Sequence, residues 1–494
     1  MYERKNAVLW RLCSLALLVP AMLLLEVRPL AGQVAPPKRV RGGAAVSRTW
    51  TDSTGNYRVR ATFVEVKDGR VQLRKTDGTV IGVPLERLSE TDQQWIAQRA
   101  ATATAAGTPA AAGAEWPTFR GPNRDGKSPD KGLLTEWPED GPKLLWKATG
   151  IGKGFSSAAV AGGTVYITGD ADGRLKLFAY ALDGSPKWQI DVARACDSGG
   201  HSGARATPTI DGGNLYLLSG DGQLGCFDAA TGRGRWSRSA QEFQGRCGDW
   251  GYAESVLISG RMAIFKPGGN NCIVALNKQN GQPLWASQGF AAGPEYSSCI
   301  AITHGGIPMI ITGTRSGLVA VNANGGQVLW RNPFATDNVA NCPTPAYSDG
   351  FVFWANGYGK GGVCVKLDNR GMASEAYTTR EMDCHHGGYI IDNGCVYGNH
   401  GDRWVCLDLR TGAPKWAERG VGKGSLCWAD GMLYLFSERG GQAALATCSP
   451  AGLEIKGKVK VDGEGPSWAH PVVIGGRLYL RYDTTLYCFD VKAS

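Results

Sequence analysis

The side chains able to do chemistry are unevenly placed along this chain. Of its six histidines, His201, His385, His386 and His470 fall in segments that also hold Cys196, Cys247, Cys299, Cys342, Cys384 and Cys427. Arg205, Asp249, Trp250, Glu254, Tyr296, Lys423 and Trp468 stand in the same segments. Imidazole and thiolate together suit a zinc- or copper-class ion. Against that, no two cysteines are spaced Cys-x-x-Cys, and the histidines show no local ligand spacing. The simpler reading has no metal: disulfides tie neighbouring loops, Cys196 with Cys247 for example, and the histidines are polar lining. Arg205, Trp250, Glu254, Tyr296, His386, Lys423, Trp468 and His470 are then the candidate ligand-binding residues.

The elements that must position these residues are spaced by tryptophan. Trp146, Trp188, Trp236, Trp285 and Trp330 succeed one another at 42, 48, 49 and 45 residues, and Trp416 follows after 86. A period of 40–50 residues marks one supersecondary unit repeated many times. The 70 glycines fall between short apolar runs, which makes an all-β array of tight turns. Each unit divides into four strands, and eight second strands can be placed: 165–168, 215–218, 262–265, 309–312, 352–355, 396–398, 433–436 and 478–481. The expected fold is an eight-bladed β-propeller over 115–494. Units five and seven lack the closing tryptophan, and unit eight lacks its fourth strand. Strand 143–148, with Trp146, has no strands of its own before it, so it is expected to complete the last blade and close the ring, removing open sheet edges. The candidate residues above then sit on the loops leading into the inner strands, at the mouth of the central funnel. Cys226, Cys406 and Cys488 fill a third-strand slot that Ala181, Ala275 and Ala320 fill elsewhere, and read as small buried residues.

Residues 1–32 read as an export signal: Arg4, Lys5 and Arg11 precede an apolar run at 12–25, and Ala31 and Gly32 offer a cleavage point. An uncleaved anchor is the alternative. The chain is expected in the periplasm or cell envelope, not integral to the membrane once cleaved. Residues 33–46 and 100–114 are Pro-, Gly- and Ala-rich tethers. Between them, 47–99 alternates apolar and polar residues with turns at Asp68-Gly69 and Asp77-Gly78, the pattern of a small SH3-like barrel. Ser89-Glu90-Thr91-Asp92 then reads as a capping box opening a short helix. The net charge of +9 is spread out and forms no basic tract, so nucleic acid is not an expected partner.

Two resemblances go further. Asp228-Ala229-Ala230-Thr231-Gly232, ending at Trp236, and Asp408-Leu409-Arg410-Thr411-Gly412, ending at Trp416, are similar to the repeat of pyrroloquinoline-quinone (PQQ) type propellers. Trp116-Pro117-Thr118-Phe119-Arg120-Gly121-Pro122 resembles the lead-in of secreted bacterial members, notably planctomycete ones. Non-enzymatic members include BamB, the outer-membrane assembly lipoprotein. The resemblance implies that the spaced tryptophans dock between blades. Residues 47–99, with Asp68-Gly69-Arg70-Val71-Gln72-Leu73 and Val83-Pro84-Leu85-Glu86-Arg87-Leu88-Ser89, resemble SLA1 homology domain 1 (SHD1). That likeness implies a module binding Asn-Pro-Phe-x-x-Asp peptides, with Arg74, Lys75 and Arg87 as the face for the Asp. Asn332-Pro333-Phe334-Ala335-Thr336-Asp337 fits this pattern and raises self-association. A quinoprotein would need calcium ligands, an aspartate base and in many members a Cys-Cys pair; the chain has no such pair, and no position matches the rest. The expected function is an exported, non-catalytic adaptor for other envelope proteins, with no cofactor. The alternative is an oxidoreductase using PQQ with calcium, or a metal.

Overall fold

The computed structural model describes residues 47–96, apart from 68–69, 76, 90 and 94–95, and residues 115–493, apart from 338–339. The export signal, both tethers and Cys13 lie outside them. The chain divides into two compact units, Met1–Thr108 and Pro109–Ser494. Among the described residues no helix is long and apolar enough to cross a membrane.

In the first unit, strands Ser47–Thr51, Arg58–Lys67, Arg70–Lys75 and Val80–Pro84 form one antiparallel sheet in chain order. Alternation sends Ala61, Phe63, Val71 and Leu73 to one face, where Trp50, Leu88 and Ile96 complete the core. The Trp50 indole N–H reaches the Ala61 carbonyl at 2.9 Å. Only half of the expected capping box forms. Ser89 Oγ accepts from Asp92 N at 3.3 Å, but Ser89 N donates to the Thr51 carbonyl. The Asp92 carboxylate instead accepts from Thr51 N at 2.7 Å and from Arg48 at 2.6 Å. Asp92 thus stitches the helical turn to the first strand, which local spacing could not reveal.

The second unit is a β-propeller. Among the described residues it holds eight sheets, each with four antiparallel strands; in the first seven these are consecutive in the chain. The second sheet, for example, runs Thr209–Asp211, Asn214–Leu218, Gln223–Asp228 and Gly234–Ser239. In the eighth sheet, Val472–Ile474, Arg477–Tyr482 and Thr485–Asp490 come from the C-terminal end, and Leu144–Thr149 supplies the outer strand, pairing with Thr485–Asp490.

Each outer strand meets its neighbour with a register shift at the same place. In the second sheet Cys226 faces Trp236, but Phe227 faces Gly234; in the sixth Cys406 faces Trp416, but Leu407 faces Pro414. Such a bulge re-aims a side chain, and here it turns the aromatic ring onto the following sheet. Trp236 Nε1 donates to the Lys278 carbonyl at 3.1 Å, Trp285 Nε1 to Ala323 at 3.0 Å and Trp416 Nε1 to Ser449 at 2.9 Å. Trp146 Nε1 reaches Leu182 of the first sheet at 2.8 Å. The fifth sheet did not lose the device. Tyr377 occupies the tryptophan's position opposite Cys364, and its hydroxyl donates to the Leu409 carbonyl at 2.9 Å. The small residue facing the ring is Ala275, Ala320, Cys226, Cys406 or Cys488, as expected. In the first sheet it is Ala179, not Ala181: Ala179 faces Trp188, and Ala181 lies at the strand end.

The Asp-x-x-Thr-Gly motif is the receiving half of this joint. Asp228 Oδ1 accepts from Ala230 N, Thr231 N and Thr231 Oγ within 3.1 Å, closing a turn whose Gly232 has φ +75°. A Cβ on Gly232 would lie 3.1 Å from the Trp188 ring, so the position needs glycine for both backbone and space.

The lead-in crosses the middle of the ring. Trp116 pairs with Val160 of the first sheet, and the Pro117 carbonyl accepts from Ile210 of the second. Arg124 donates to Ser255 O at 2.9 Å and Cys299 O at 3.0 Å, ahead of the third and fourth sheets. Arg120 donates to Tyr389 O of the sixth at 2.5 Å. Lys127–Ser128 joins the seventh sheet as a parallel strand, and Asp130 accepts from Gly476 N of the eighth at 2.8 Å. Seven sheets are therefore bonded to one segment of about 15 residues.

Candidate binding site at the propeller mouth

One pocket, enclosing about 170 Å³, opens at the mouth. Phe119 of the lead-in lines it, with Phe155, His201, Arg205, Trp250, Tyr296, Cys342, Tyr358, His385, His386, Trp468 and His470. Every sheet but the seventh contributes, so the site exists only in the closed ring. The rings form a continuous wall. Tyr358 lies 4.5 Å from His385, His385 3.6 Å from His386, His386 is stacked on Trp468 at 4.2 Å, and Trp468 meets Phe155 at 4.4 Å. Across the pocket Trp250 and Tyr296 meet edge to face at 6.0 Å, and the Tyr296 hydroxyl accepts from Trp250 N.

Six of the eight residues chosen from sequence line this pocket: Arg205, Trp250, Tyr296, His386, Trp468 and His470. Arg205 also pins the loop beside it, donating to the carbonyls of Gly203 at 2.9 Å and His201 at 2.6 Å. Two residues do not line it. Glu254 is buried beneath the mouth, where its carboxylate accepts from Lys266 N and faces Arg124 and the Cys299 thiol. A carboxylate that far from water is tied to fixed partners and serves the scaffold. Lys423 stands behind the wall, donating to His385 Nδ1 at 3.2 Å and paired with Glu438 at 2.9 Å. The expected Cys196–Cys247 bridge is not formed. All thirteen cysteines among the described residues are free thiols: Cys196 Sγ lies 3.4 Å from Ser198 Oγ, and Cys247 is exposed. Sequence reasoning missed Phe119, Phe155 and Tyr358, which carry no ligand-like signature.

The buried histidine wall of the pocket is uncharged, and Arg205 faces it as a cation. Burial, then the Lys423 charge, holds His385 down to about 3; burial and Arg120 hold His470 down to about 3; and burial, then His385 and Lys423, holds His386 well below the usual imidazole value. All three rings are neutral at ordinary pH. Burial raises the Cys342 thiol and the Tyr296 hydroxyl, so both keep their protons. No lining side chain is a carboxylate. Calcium takes six to eight oxygen ligands, carboxylates foremost, so these residues do not fit the calcium of a quinoprotein. From the set of thiols and imidazoles expected at the mouth, Cys342, His385 and His386 bring their ligand atoms within 4.8 Å of one another, although Cys342 lies 43 residues from His385.

The Asn-Pro-Phe segment is not presented as a free peptide. Asn332 is buried; its Nδ2 donates to Glu375 at 2.9 Å and its Oδ1 accepts from Phe334 N at 2.9 Å. Phe334 meets Trp354 edge to face at 6.4 Å, with Lys360 over the ring at 4.8 Å; Pro333 and Asp337 are exposed. Asn332 and Phe334 of the motif are thus committed to the propeller, while Asp337 is exposed. We expect Phe334→Ala to lower stability by about 2 kcal/mol for this half-buried ring, read by urea denaturation, and to leave the size-exclusion volume unchanged. On the first unit, Arg74 and Lys75 are adjacent in strand Arg70–Lys75 and therefore point to opposite faces, so they do not form one basic surface with Arg87.

Comparison with known proteins agrees with this architecture. The family model described as outer membrane protein assembly factor BamB matches residues 171–418, and that of SLA1 homology domain 1 matches residues 39–103. BamB of Shewanella oneidensis is 24% identical over 266 residues, which is 51% of this chain and 65% of that protein. The chain thus spans just under two thirds of that relative's length. Among solved structures, BamB of Moraxella catarrhalis aligns over 71% of this chain and 98% of its own, with TM-score 0.52 and 16% identity. The quinohemoprotein alcohol dehydrogenase of Comamonas testosteroni covers 80% and 82%, with TM-score 0.56 and 13% identity; at that identity the likeness is one of fold. Repeat motif, ring and family model converge: this chain belongs to the BamB family of PQQ-like β-propellers and carries an SLA1 homology domain 1 ahead of the propeller.

Proposed function

We propose that this chain is a non-catalytic, protein-binding scaffold of the cell envelope, with the propeller mouth as one interaction site and the SHD1 unit as a second, peptide-binding module. The mouth itself carries the reading. Trp250, Tyr296, Tyr358, Trp468 and the Arg205 cation converge on an aromatic pocket without a carboxylate. Tryptophan, tyrosine and arginine in a water-excluding hollow are what anchors a protein partner. General acid–base chemistry needs a group that titrates near the working pH, and burial holds His385, His386 and His470 below it. The matched family is named for assembly of outer membrane proteins, which supports an envelope role of the same kind.

Affinity capture from solubilised envelope tests this with three proteins: the full chain, the Trp468→Ala/Tyr296→Ala variant and a chain lacking 47–96. The full chain is expected to retain protein partners, and each altered form to lose a different subset. Substrate oxidation by the purified chain supplied with PQQ and calcium would overturn the reading in favour of a quinoprotein.

A further inference from the structure

We propose that Cys342, His385 and His386 form a binding site for a first-row transition ion of the zinc class at the propeller mouth. One thiol and two imidazoles offer one ligand atom each within 4.8 Å of one another. Around a tetrahedral ion such atoms sit about 3.4–3.7 Å apart, so side-chain adjustments of about an ångström complete the site. The donor set is the borderline-to-soft one that zinc, cobalt and copper prefer, and no carboxylate is present to favour magnesium or calcium.

A second observation points to a ligand independently. His385 Nε2 and His386 Nδ1 are buried and have no hydrogen-bond partner. Buried polar atoms are rarely left so, and two imidazole nitrogens orphaned beside a thiol are what an unfilled coordination sphere looks like. The rings are also held in place. Tyr358 on one side and Trp468 on the other sandwich the His385–His386 pair, so little order remains to be imposed on binding. Three protein ligands leave a fourth position facing the pocket, open to water or to a group of a bound partner.

Lys423 is the competitor in this arrangement. It donates to His385 Nδ1 and is paired with Glu438 at 2.9 Å. Whichever nitrogen of His385 takes the ion, the other must carry the ring's proton. Lys423 must therefore release Nδ1 and fall back on Glu438. This proposal is independent of the scaffold reading, since partner capture and metal binding are scored separately.

The test uses the full chain, stripped with a chelator and titrated with cobalt(II), then with zinc against a chromophoric competitor. One ion per chain is expected, with a thiolate-to-cobalt charge-transfer band. Cys342→Ser should remove the band and weaken zinc at least about 100-fold, and Lys423→Met should tighten zinc about tenfold, the scale on which groups around a metal act. Cys196→Ser, outside the cluster, should retain wild-type binding. Thermal melts of each stripped variant establish that it is folded. No band in the folded wild-type chain, or equal zinc affinity in Cys342→Ser, overturns the site. Weaker zinc binding by Lys423→Met overturns the competition.

Discussion

Arg124→Met is expected to destabilise the propeller by about 3–5 kcal/mol, the range for removing one partner from a buried charge network. The side chain is 4% exposed, and burial lowers its pKa to about 10, so it remains charged. Its guanidinium donates to the carbonyls of Ser255 and Cys299 and to Thr118 Oγ at 3.0 Å, and it also contacts the Val256 carbonyl. One fork thus ties the lead-in to the third and fourth sheets. Methionine matches the volume and supplies no donors, leaving buried acceptors unpaired, each carrying its own desolvation cost. It also removes a compensating charge from the buried Glu254. The positive φ of residue 124 is common to both side chains and cancels in the comparison. Arg124→Lys keeps the charge but not the planar fork, and should lie between the two. Urea denaturation measures all three proteins. Equal midpoints for Arg124→Met and the parent chain would show that the lead-in is carried by the ring and does not help to hold it.

The ring was legible because its joint is local. A tryptophan, the small residue opposite it and the Asp-x-x-Thr-Gly turn recur at a fixed spacing, and each is a short-range signal. The tryptophan series lapses in two sheets: in the fifth Tyr377 supplies a different aromatic ring with a hydroxyl donor, and in the seventh Lys458 faces Ala444 at that position. The mouth was legible at the level of which loops meet there, and six of eight chosen residues line it. Glu254 was misplaced because position in a loop does not say which way a side chain turns. The role of Arg120 and Arg124 was hidden because their partners are backbone carbonyls, up to 269 residues away, which leave no trace in composition. The thiols and imidazoles of the mouth were legible as a set, but which of them meet was not: the fifth and sixth sheets, not spacing, bring Cys342 to His385 and His386.

Opening the ring at its clasp should be the most disruptive change of all. Trp146 packs between Tyr479 of its own sheet, with ring centroids 5.9 Å apart, and Tyr180 of the first at 6.5 Å, and its indole donates to the Leu182 carbonyl. A Cβ on Gly184 would lie 2.6 Å from that indole, which shows how closely the first sheet approaches it. Trp146→Ala removes ring burial, both aromatic contacts and the hydrogen bond together. The expected loss is about 3 kcal/mol, the lower end for a core tryptophan because this one is partly exposed. Deleting 143–147 goes further. Strand Thr485–Asp490 then presents unpaired N–H and carbonyl groups along its length, and the first and eighth sheets lose the strand that joins them. An exposed edge of that kind recruits other strands, so the deleted chain should form dimers and larger species on size exclusion with light scattering, at concentrations where the parent is monodisperse. It should also unfold over a broader urea range, because sheets no longer linked in a circle can fray from an end. The mouth pocket should fail with it, since Trp468 and His470 of the eighth sheet face Phe155 of the first across the same seam. A deleted chain that keeps the parent's size and midpoint would mean that the lead-in bonds across the centre suffice to hold the sheets in a circle, and the clasp would then be an ornament of the fold, not its closure.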